Sequence, residues 1–281
     1  MSRGGVLVTG ASTGIGNATA LHLDALGFRV FAGVRSEQDA EQLRAAGSER
    51  LRVLQPLDVT DPGAIATAAR MVEDELAGEP LAGIVNNAGI AVGGPLEAID
   101  LDNFRRQLEV NAVAPLAVTQ AFLPQLRASR GRIVNISSIG GRVPQPFVGP
   151  YVVSKFAVEA LSDVLRMELL EWGIDVVAIE PGTIATPIWE KGSSQVDSEL
   201  AKMTPEHRAL YDRRLAKMAK VLKRQDKRGA PPEKVAKAVE HALTAERPKT
   251  RYLVGDARVL LALHALLPTR LFDRLLYRMT R

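Results

Sequence analysis

Short apolar runs alternate with longer amphipathic stretches along the first two-thirds of the chain. Residues 6–9 form an apolar run that reads as a strand, and helical periodicity follows from 14 to 26. A second strand covers 29–34, and Ser36 opens a polar helix. A third strand covers 51–55. Asp61 and Pro62 start a helix that runs to about 77, with the proline in its first turn. Residues 83–86 read as a fourth strand. A long helix follows over about 100–128, with a break expected at Pro115 or Pro124. Residues 132–136 are a fifth strand, 151–172 a long helix and 174–179 a sixth strand. A helix from Pro231-Pro232 to about 245 leads to a seventh strand at 251–254.

These strands are short, rich in Val and Ile, and lack polar alternation, as strands do when helices cover both sheet faces. Strand–helix alternation at this spacing implies right-handed βαβ units and a parallel sheet. The expected fold is α/β: a Rossmann-type doubly wound sheet of about seven strands in a three-layer α/β/α sandwich. Residues 1–281 are read as a single domain. Two segments depart from the pattern. Residues 184–230 are polar and basic, a surface excursion with one or two amphipathic helices. Leu210, Leu215, Met218, Val221 and Leu222 lie along one side of the second. Residues 256–281 form a basic amphipathic tail.

The chain has no cysteine, which excludes disulfides, thiolate nucleophiles and cysteine-bound metals. The four histidines, His22, His207, His241 and His264, form no metal-spaced pair, so no metal site is expected. The N-terminus lacks a signal-peptide pattern, and the longest apolar run, 259–267, is too short to span a membrane. The expectation is a cytoplasmic protein. The net charge of +4 hides an asymmetry: residues 1–200 hold 16 basic against 24 acidic side chains, and residues 201–281 hold 20 against 8.

The turn after the first strand reads Thr9-Gly10-Ala11-Ser12-Thr13-Gly14-Ile15-Gly16. A dinucleotide's pyrophosphate needs backbone N–H groups aimed at it and no Cβ in the way, and the helix that follows places its positive end at the anion. The second strand ends Gly33-Val34-Arg35-Ser36, with no acid before Glu37, where NAD enzymes usually carry a carboxylate for the adenosine ribose. Arg35 can instead pair with a 2′-phosphate, with Ser12, Thr13 or Ser36 adding hydroxyl contacts. NADP(H) is therefore favoured over NAD(H).

Tyr151 and Lys155 stand at helical spacing i and i+4, on one face. A free phenol, with a pKa of about 10, is a poor base at neutral pH, and a nearby ammonium is expected to lower it. Lys155 would also bind the nicotinamide ribose. Ser138 ends the fifth strand, thirteen residues before Tyr151, where a hydroxyl can hold the substrate oxygen against the phenol. Ser137 competes, but alternation and spacing favour Ser138. Small residues in Asn86-Asn87-Ala88-Gly89 let the backbone approach a cofactor. Asn111 sits mid-helix, where asparagine is unfavourable without a reason.

Taken together, these motifs resemble the short-chain dehydrogenase/reductase superfamily in its single-domain form. They run in the family's order: TGASTGIG at 9–16, Asp58-Val59, NNAG at 86–89, Asn111, Ser138, YVVSK at 151–155 and Pro181-Gly182. The resemblance covers about residues 4–256 and extends in size and tail to steroid- and retinol-type members. It implies that Asp58, with Val59 beside it, contacts the adenine amino group, and that Asn87, Ala88 and Gly89 line the adenosine ribose. It implies that Asn111 holds a water linking Lys155 to solvent. It implies too that Pro181, Gly182, Thr183, Ile184 and Thr186 embrace the nicotinamide. The family usually puts a basic residue where Arg35 stands when NADP is preferred, and its members usually form dimers or tetramers through the helices at about 100–128 and 151–172.

The expected activity is hydride transfer between NADP(H) and a secondary alcohol or ketone. Phe147, Val148, Ile188 and Trp189 suggest an apolar pocket for a bulky steroid, retinoid or fatty-acyl-derived substrate. A non-catalytic NADP-binding scaffold, or an epimerase or dehydratase that keeps the Tyr/Lys pair, is the alternative. In the tail, Arg270, Arg274 and Arg278 fall on one helical stripe, with Leu271, Phe272, Leu275, Leu276 and Met279 on another. Such a helix can pack on its own domain, lie on an anionic membrane, meet a partner subunit or cover the substrate mouth. No nucleic-acid-binding module accompanies the charge.

Overall fold

The computed structural model describes residues 3–186, 188 and 203–280; for 218–228 and 279–280 it describes the backbone only. Seven strands form one parallel sheet: β1 (Gly5–Val8), β2 (Arg29–Gly33), β3 (Leu51–Leu54), β4 (Leu81–Asn86), β5 (Arg132–Ile136), β6 (Val176–Pro181) and β7 (Arg251–Val254). Their order is β3-β2-β1-β4-β5-β6-β7, so the direction of winding reverses between β1 and β4. Most strand positions are fully buried, which explains the absence of polar alternation.

The helices are α1 (Gly14–Ala25), α2 (Glu37–Ala46), α3 (Pro62–Leu76), α4 (Leu101–Leu108), α5 (Ala114–Ser129), α6 (Gly149–Glu168), α7 (Pro205–Arg228), α8 (Glu233–Thr244), α9 (Arg258–Leu266) and α10 (Thr269–Thr280). One core cluster packs α1 and α8 on one sheet face through Leu23, Val235 and Val239. The other packs α3, α5 and α6 on the opposite face through Val72, Phe122 and Leu165. The sequence caps hold: Asp61 accepts from the Gly63 amide at 2.8 Å at the start of α3.

The expected long helix breaks upstream of both prolines. A π turn, Glu109–Val113, joins α4 to α5. Pro115 has no N–H to return to the Asn111 carbonyl, which favours a wider turn there, whereas Pro124 sits inside α5 without interrupting it. The excursion leaves and re-enters at one point. Ile184 and Ala230 form a parallel bridge, with Ala185 N donating to Ala230 O at 3.0 Å and Ala230 N to Thr183 O at 2.9 Å. Within it, Leu215 is buried but Leu210 is 65% exposed, so the expected apolar stripe does not all face inward; Met218, Val221 and Leu222 lie outside the described side chains.

The tail folds back on its own domain. Phe272 of α10 is buried against Ile139 and Val143, with Leu276 packed beside it, while Leu271 is exposed with Arg270, Arg274 and Arg278. Met279 falls outside the described side chains. Among the described residues, no helix is long and apolar enough to cross a membrane.

Candidate active site

Parallel strands bring all their carboxyl ends to one edge, and the crevice between β1 and β4 is where ligands bind in open sheets of this kind. A cleft of about 670 Å³ opens there, from Arg35 and Asp58 at one end to Ser138, Tyr151 and Ile184 at the other.

The floor of the cleft is shaped by its glycines. Gly10 and Gly14 hold left-handed backbone, at φ +64° and +58°. A Cβ on Gly10 would stand 2.7 Å from the Ala88 Cα, and one on Gly16 would run into the Gly10 carbonyl and the Asn87 amide. The first two glycines therefore make the turn, and the third allows helix and loop to close on each other. α1 carries no acid in its first turn, and its N-cap Thr13 makes no side-chain cap bond, so the positive end of the helix faces the cleft. The loop is braced from β4: Asn87 Nδ2 donates to the carbonyls of Thr9 and Gly10, at 3.0 and 2.9 Å. Thr9 Oγ1 accepts from the amides of Asn87 and Ala88, at 3.0 and 3.1 Å. A glycine cradle under unpaired helix-end dipoles fits a dinucleotide's pyrophosphate.

At the far end, Arg35 lines the cleft beside Val34, Asp58 and Val59. The amide and hydroxyl of Thr60 both donate to Asp58 Oδ1, at 2.9 and 2.7 Å. They hold its carboxyl below the usual range despite partial burial, with Arg35 and Arg106 adding to the effect. Asp58 is thus a fixed anionic acceptor. Glu37 is turned to Arg44 at 2.6 Å, and Ser36, the N-cap of α2, bonds Asp39 at 2.6 Å. Ser36 does not line the cleft, whereas Ser12 and Thr13 do.

At the near end, α6 projects Tyr151 and Lys155 under the carboxyl end of β5. The Ser138 hydroxyl is hydrogen-bonded to the Tyr151 phenol and accepts from the Gly140 amide at 3.0 Å. Lys155 is buried; its Nζ donates to the Ile136 carbonyl at 2.8 Å and lies 5.7 Å from the Tyr151 ring centre. The expected acidification of the phenol is outweighed: burial pushes Tyr151 above its ordinary value, with the Ser138 bond working against that. Burial brings Lys155 down to about 8, opposed by Glu159. The site's own groups thus present a neutral phenol beside an ammonium at neutral pH.

The remaining predicted residues divide. Gly89, Pro181, Gly182, Ile184 and Thr186 line the cleft, with Ile15, Ile90 and Ile188. Gly16 and Thr183 stand behind the lining. So does Asn111, whose side chain is buried: its Oδ1 accepts from the Ile90 amide at 2.9 Å, and its Nδ2 donates to Ile90 O at 3.0 Å and Ser154 Oγ at 3.1 Å. The side chain ties the 90–92 segment to α6 next to Lys155. Phe147 stands off the cleft, at φ +66°, with Arg214 stacked over its ring; Trp189 lies outside the described residues.

Sequence reasoning passed over Thr9, Gln107, Arg106 and the Asn86–Asn135–Ser162 chain of buried hydrogen bonds, at 2.9 Å each. Asparagine within two strands that otherwise read as Val and Ile was the available signal for that chain. Gln107, fully buried and bonded to Val92 N at 2.6 Å, carried none, because helical polar residues are common on solvated faces.

The model of the short chain dehydrogenase family matches residues 5–197. The chain is 40% identical to human retinol dehydrogenase 5 (Homo sapiens) over 278 residues, covering 96% of this chain and 87% of that protein. It is 40% identical to the 17-beta-hydroxysteroid dehydrogenase type 6 of Bos taurus, covering 97% and 87%. Against the NADPH-dependent 3-dehydrocapnine reductase of Ornithobacterium rhinotracheale the identity is 36%, covering 97% and 95%. The crystal structure of a short-chain dehydrogenase from Streptomyces avermitilis superposes with a TM-score of 0.78 at 30% identity, covering 100% of this chain and 96% of that one. With its parallel sheet, glycine cradle and Ser138–Tyr151–Lys155 cluster, the chain belongs to the short-chain dehydrogenase/reductase family, among oxidoreductases that act on alcohol and ketone groups.

Proposed function

We propose that the protein interconverts a ketone and a secondary alcohol on a bulky hydrophobic molecule, with NADP(H) as the preferred cofactor. The observation that carries the reaction is the Tyr151 phenol, hydrogen-bonded to Ser138 and one helical turn from the buried Lys155. A bound nicotinamide supplies or accepts the hydride. The chain's own groups handle the proton. Tyr151 gives its proton to the carbonyl oxygen, Ser138 donates to that oxygen as charge develops, and Lys155 stabilises the phenolate left behind. The side-chain bonds of Asn111 hold its backbone close to Lys155, where a water on the main chain would return the proton from solvent.

Arg35 supports the cofactor choice. It faces the cleft at the end of β2, while Glu37, the first acid after it, is paired with Arg44. Ile90, Ile184 and Ile188 support an apolar substrate, in keeping with relatives named for retinol and hydroxysteroids. The test is NADPH and NADH oxidation with a panel of steroid, retinoid and long-chain ketones. Turnover of at least one, with a lower KM for NADPH, is expected. A protein that binds NADPH but turns over none would be a cofactor-binding scaffold.

Two further readings concern partners. Exposed Val153, Phe156, Val164 and Met167 on α6 support a homo-oligomer, which light scattering would detect. Exposed Val259, Leu266 and Leu271 beside Arg270, Arg274 and Arg278 support peripheral contact of the tail with an anionic bilayer. Equal, negligible sedimentation of residues 1–281 and 1–268 with anionic liposomes would remove that contact.

A further inference from the structure

A half-buried ionic cluster built on two buried carboxylates, Glu159 and Glu180, stands behind Lys155, and the proton transfer makes no use of it. Glu159 lies one helical turn beyond Lys155, so Tyr151, Lys155 and Glu159 follow at intervals of four on one face of α6. Glu159 is 5% exposed. One of its oxygens accepts from Arg251 Nε at 3.0 Å. Arg251 also donates to Asp163 at 2.7 Å and lies 3.3 Å from Glu180, which accepts from Arg142 at 2.9 Å. The other Glu159 oxygen and the Ser137 hydroxyl are both buried with no partner but each other, and the Ser137 hydroxyl bond favours the charged carboxylate. These two groups are neighbours. Ser137 Oγ and Glu159 Cγ lie 2.8 and 2.9 Å from the point a Cβ on Gly141 would occupy, so only glycine at 141 leaves room for both.

The charges are informative. Glu159, Asp163 and Glu180 face three arginines, since Arg166 also donates to Asp163, at 2.9 Å. Arg166 and Arg142 take up Asp163 and Glu180, and Glu159 is the carboxylate on the Lys155 face of α6. An uncompensated ammonium is costly to bury, and a carboxylate a turn away lowers that cost; burial raises the Glu159 carboxyl above its ordinary value, and the Ser137 and Arg251 bonds work against that.

We propose that Glu159, clamped by Arg251 and Ser137, is a positioning residue that keeps the buried Lys155 amine an ammonium. This rests on the reading of Lys155 as the partner of Tyr151. The remaining groups around Lys155 do not substitute for it. β5 and the turn after it present the Ile136 carbonyl, Ser137 and Ser138. The π turn and α4 present neutral Asn111 and Gln107, with Glu109 exposed. β6 presents Glu180, already held by Arg142, and β7 presents Arg251.

The test is a 13C titration of the lysine Cε signals in the protein without cofactor, with Lys155 identified by its loss in Lys155→Met. In Glu159→Gln, which keeps shape and hydrogen bonding, the Lys155 midpoint should fall by about one pH unit. The alkaline limb of kcat/KM for ketone reduction should fall with it, and Glu159→Asp should restore both. Ser137→Ala keeps every charge and frees the carboxylate to take up a proton; it should move the midpoint the same way by a smaller amount, which keeps the test open if Glu159→Gln does not fold. A lowered melting temperature with an unmoved midpoint in these variants would mark Glu159 as structural only and overturn the proposal. Full activity in Lys155→Met would instead sink the Tyr151–Lys155 reading itself.

Discussion

The Lys155 amine reaches back from α6 to the carbonyl of Ile136, 2.8 Å away at the end of β5. This bond fixes a charged group where burial disfavours charge, with Lys155 brought down to about 8. Between that value and its unfolded value near 10.5 the folded protein binds fewer protons than the unfolded one, so this group makes stability rise with pH through that window. Below it the lysine is a net burden. Lys155→Met should therefore abolish turnover yet raise stability at neutral pH by about 1–2 kcal/mol, after allowance for the Ile136 carbonyl left unpaired. Chemical denaturation at pH 7 measures this, and a less stable variant would contradict it.

Tyr151→Phe removes only the hydroxyl bonded to Ser138. Turnover should drop by about 10²–10⁴-fold or more, the usual range for losing a general acid. NADPH affinity, read by fluorescence quenching, should change by less than threefold. Near-normal turnover would show that the proton comes from elsewhere.

The two directions should respond oppositely to pH. Reduction needs a protonated phenol and a charged lysine, and both persist below about pH 8, because burial raises Tyr151 and leaves Lys155 at about 8. Its kcat/KM should be flat from pH 6 to 7.5 and fall above 8. Oxidation needs the phenolate and should rise with pH over the same range. A reduction rate that climbs from pH 7 to 9 would be incompatible with these protonation states.

Arg35→Gln should raise KM for NADPH by about 10–100-fold, the loss of one charge-assisted contact to a phosphate, and leave KM for NADH within about twofold. Equal effects on the two cofactors would remove Arg35 from 2′-phosphate recognition.

Phe272 fills the space between the tail and the turn that carries Ile139 and Val143, immediately after Ser138. Phe272→Ala should cost about 3 kcal/mol of stability, typical of a buried aromatic truncated to a cavity. It should also depress kcat more than cofactor affinity, because it loosens the turn behind Ser138 rather than the glycine loop. Thermal unfolding and steady-state kinetics on the same sample would separate the two effects.

Much of this protein was legible in its local patterns. Strands buried on both faces must be apolar, helices between them must be amphipathic, and a turn that admits phosphate must be glycine; each demand acts on residues near one another in the chain. The parallel sheet, the 10–16 loop and the Tyr151/Lys155 spacing follow from such demands. Long-range contacts were not legible in this way. Nothing local marks Arg251 as the partner of Glu159, 92 positions earlier, or Asn86 as the partner of Asn135, or Phe272 as the plug against Val143. Nor does spacing reveal that burial raises the Tyr151 phenol against the pull of its Ser138 bond, since desolvation depends on everything packed around a group. Neighbours in sequence determined the elements and the chemistry they carry. Only the folded chain, by bringing distant charges together and excluding water from them, decided the protonation states with which that chemistry begins.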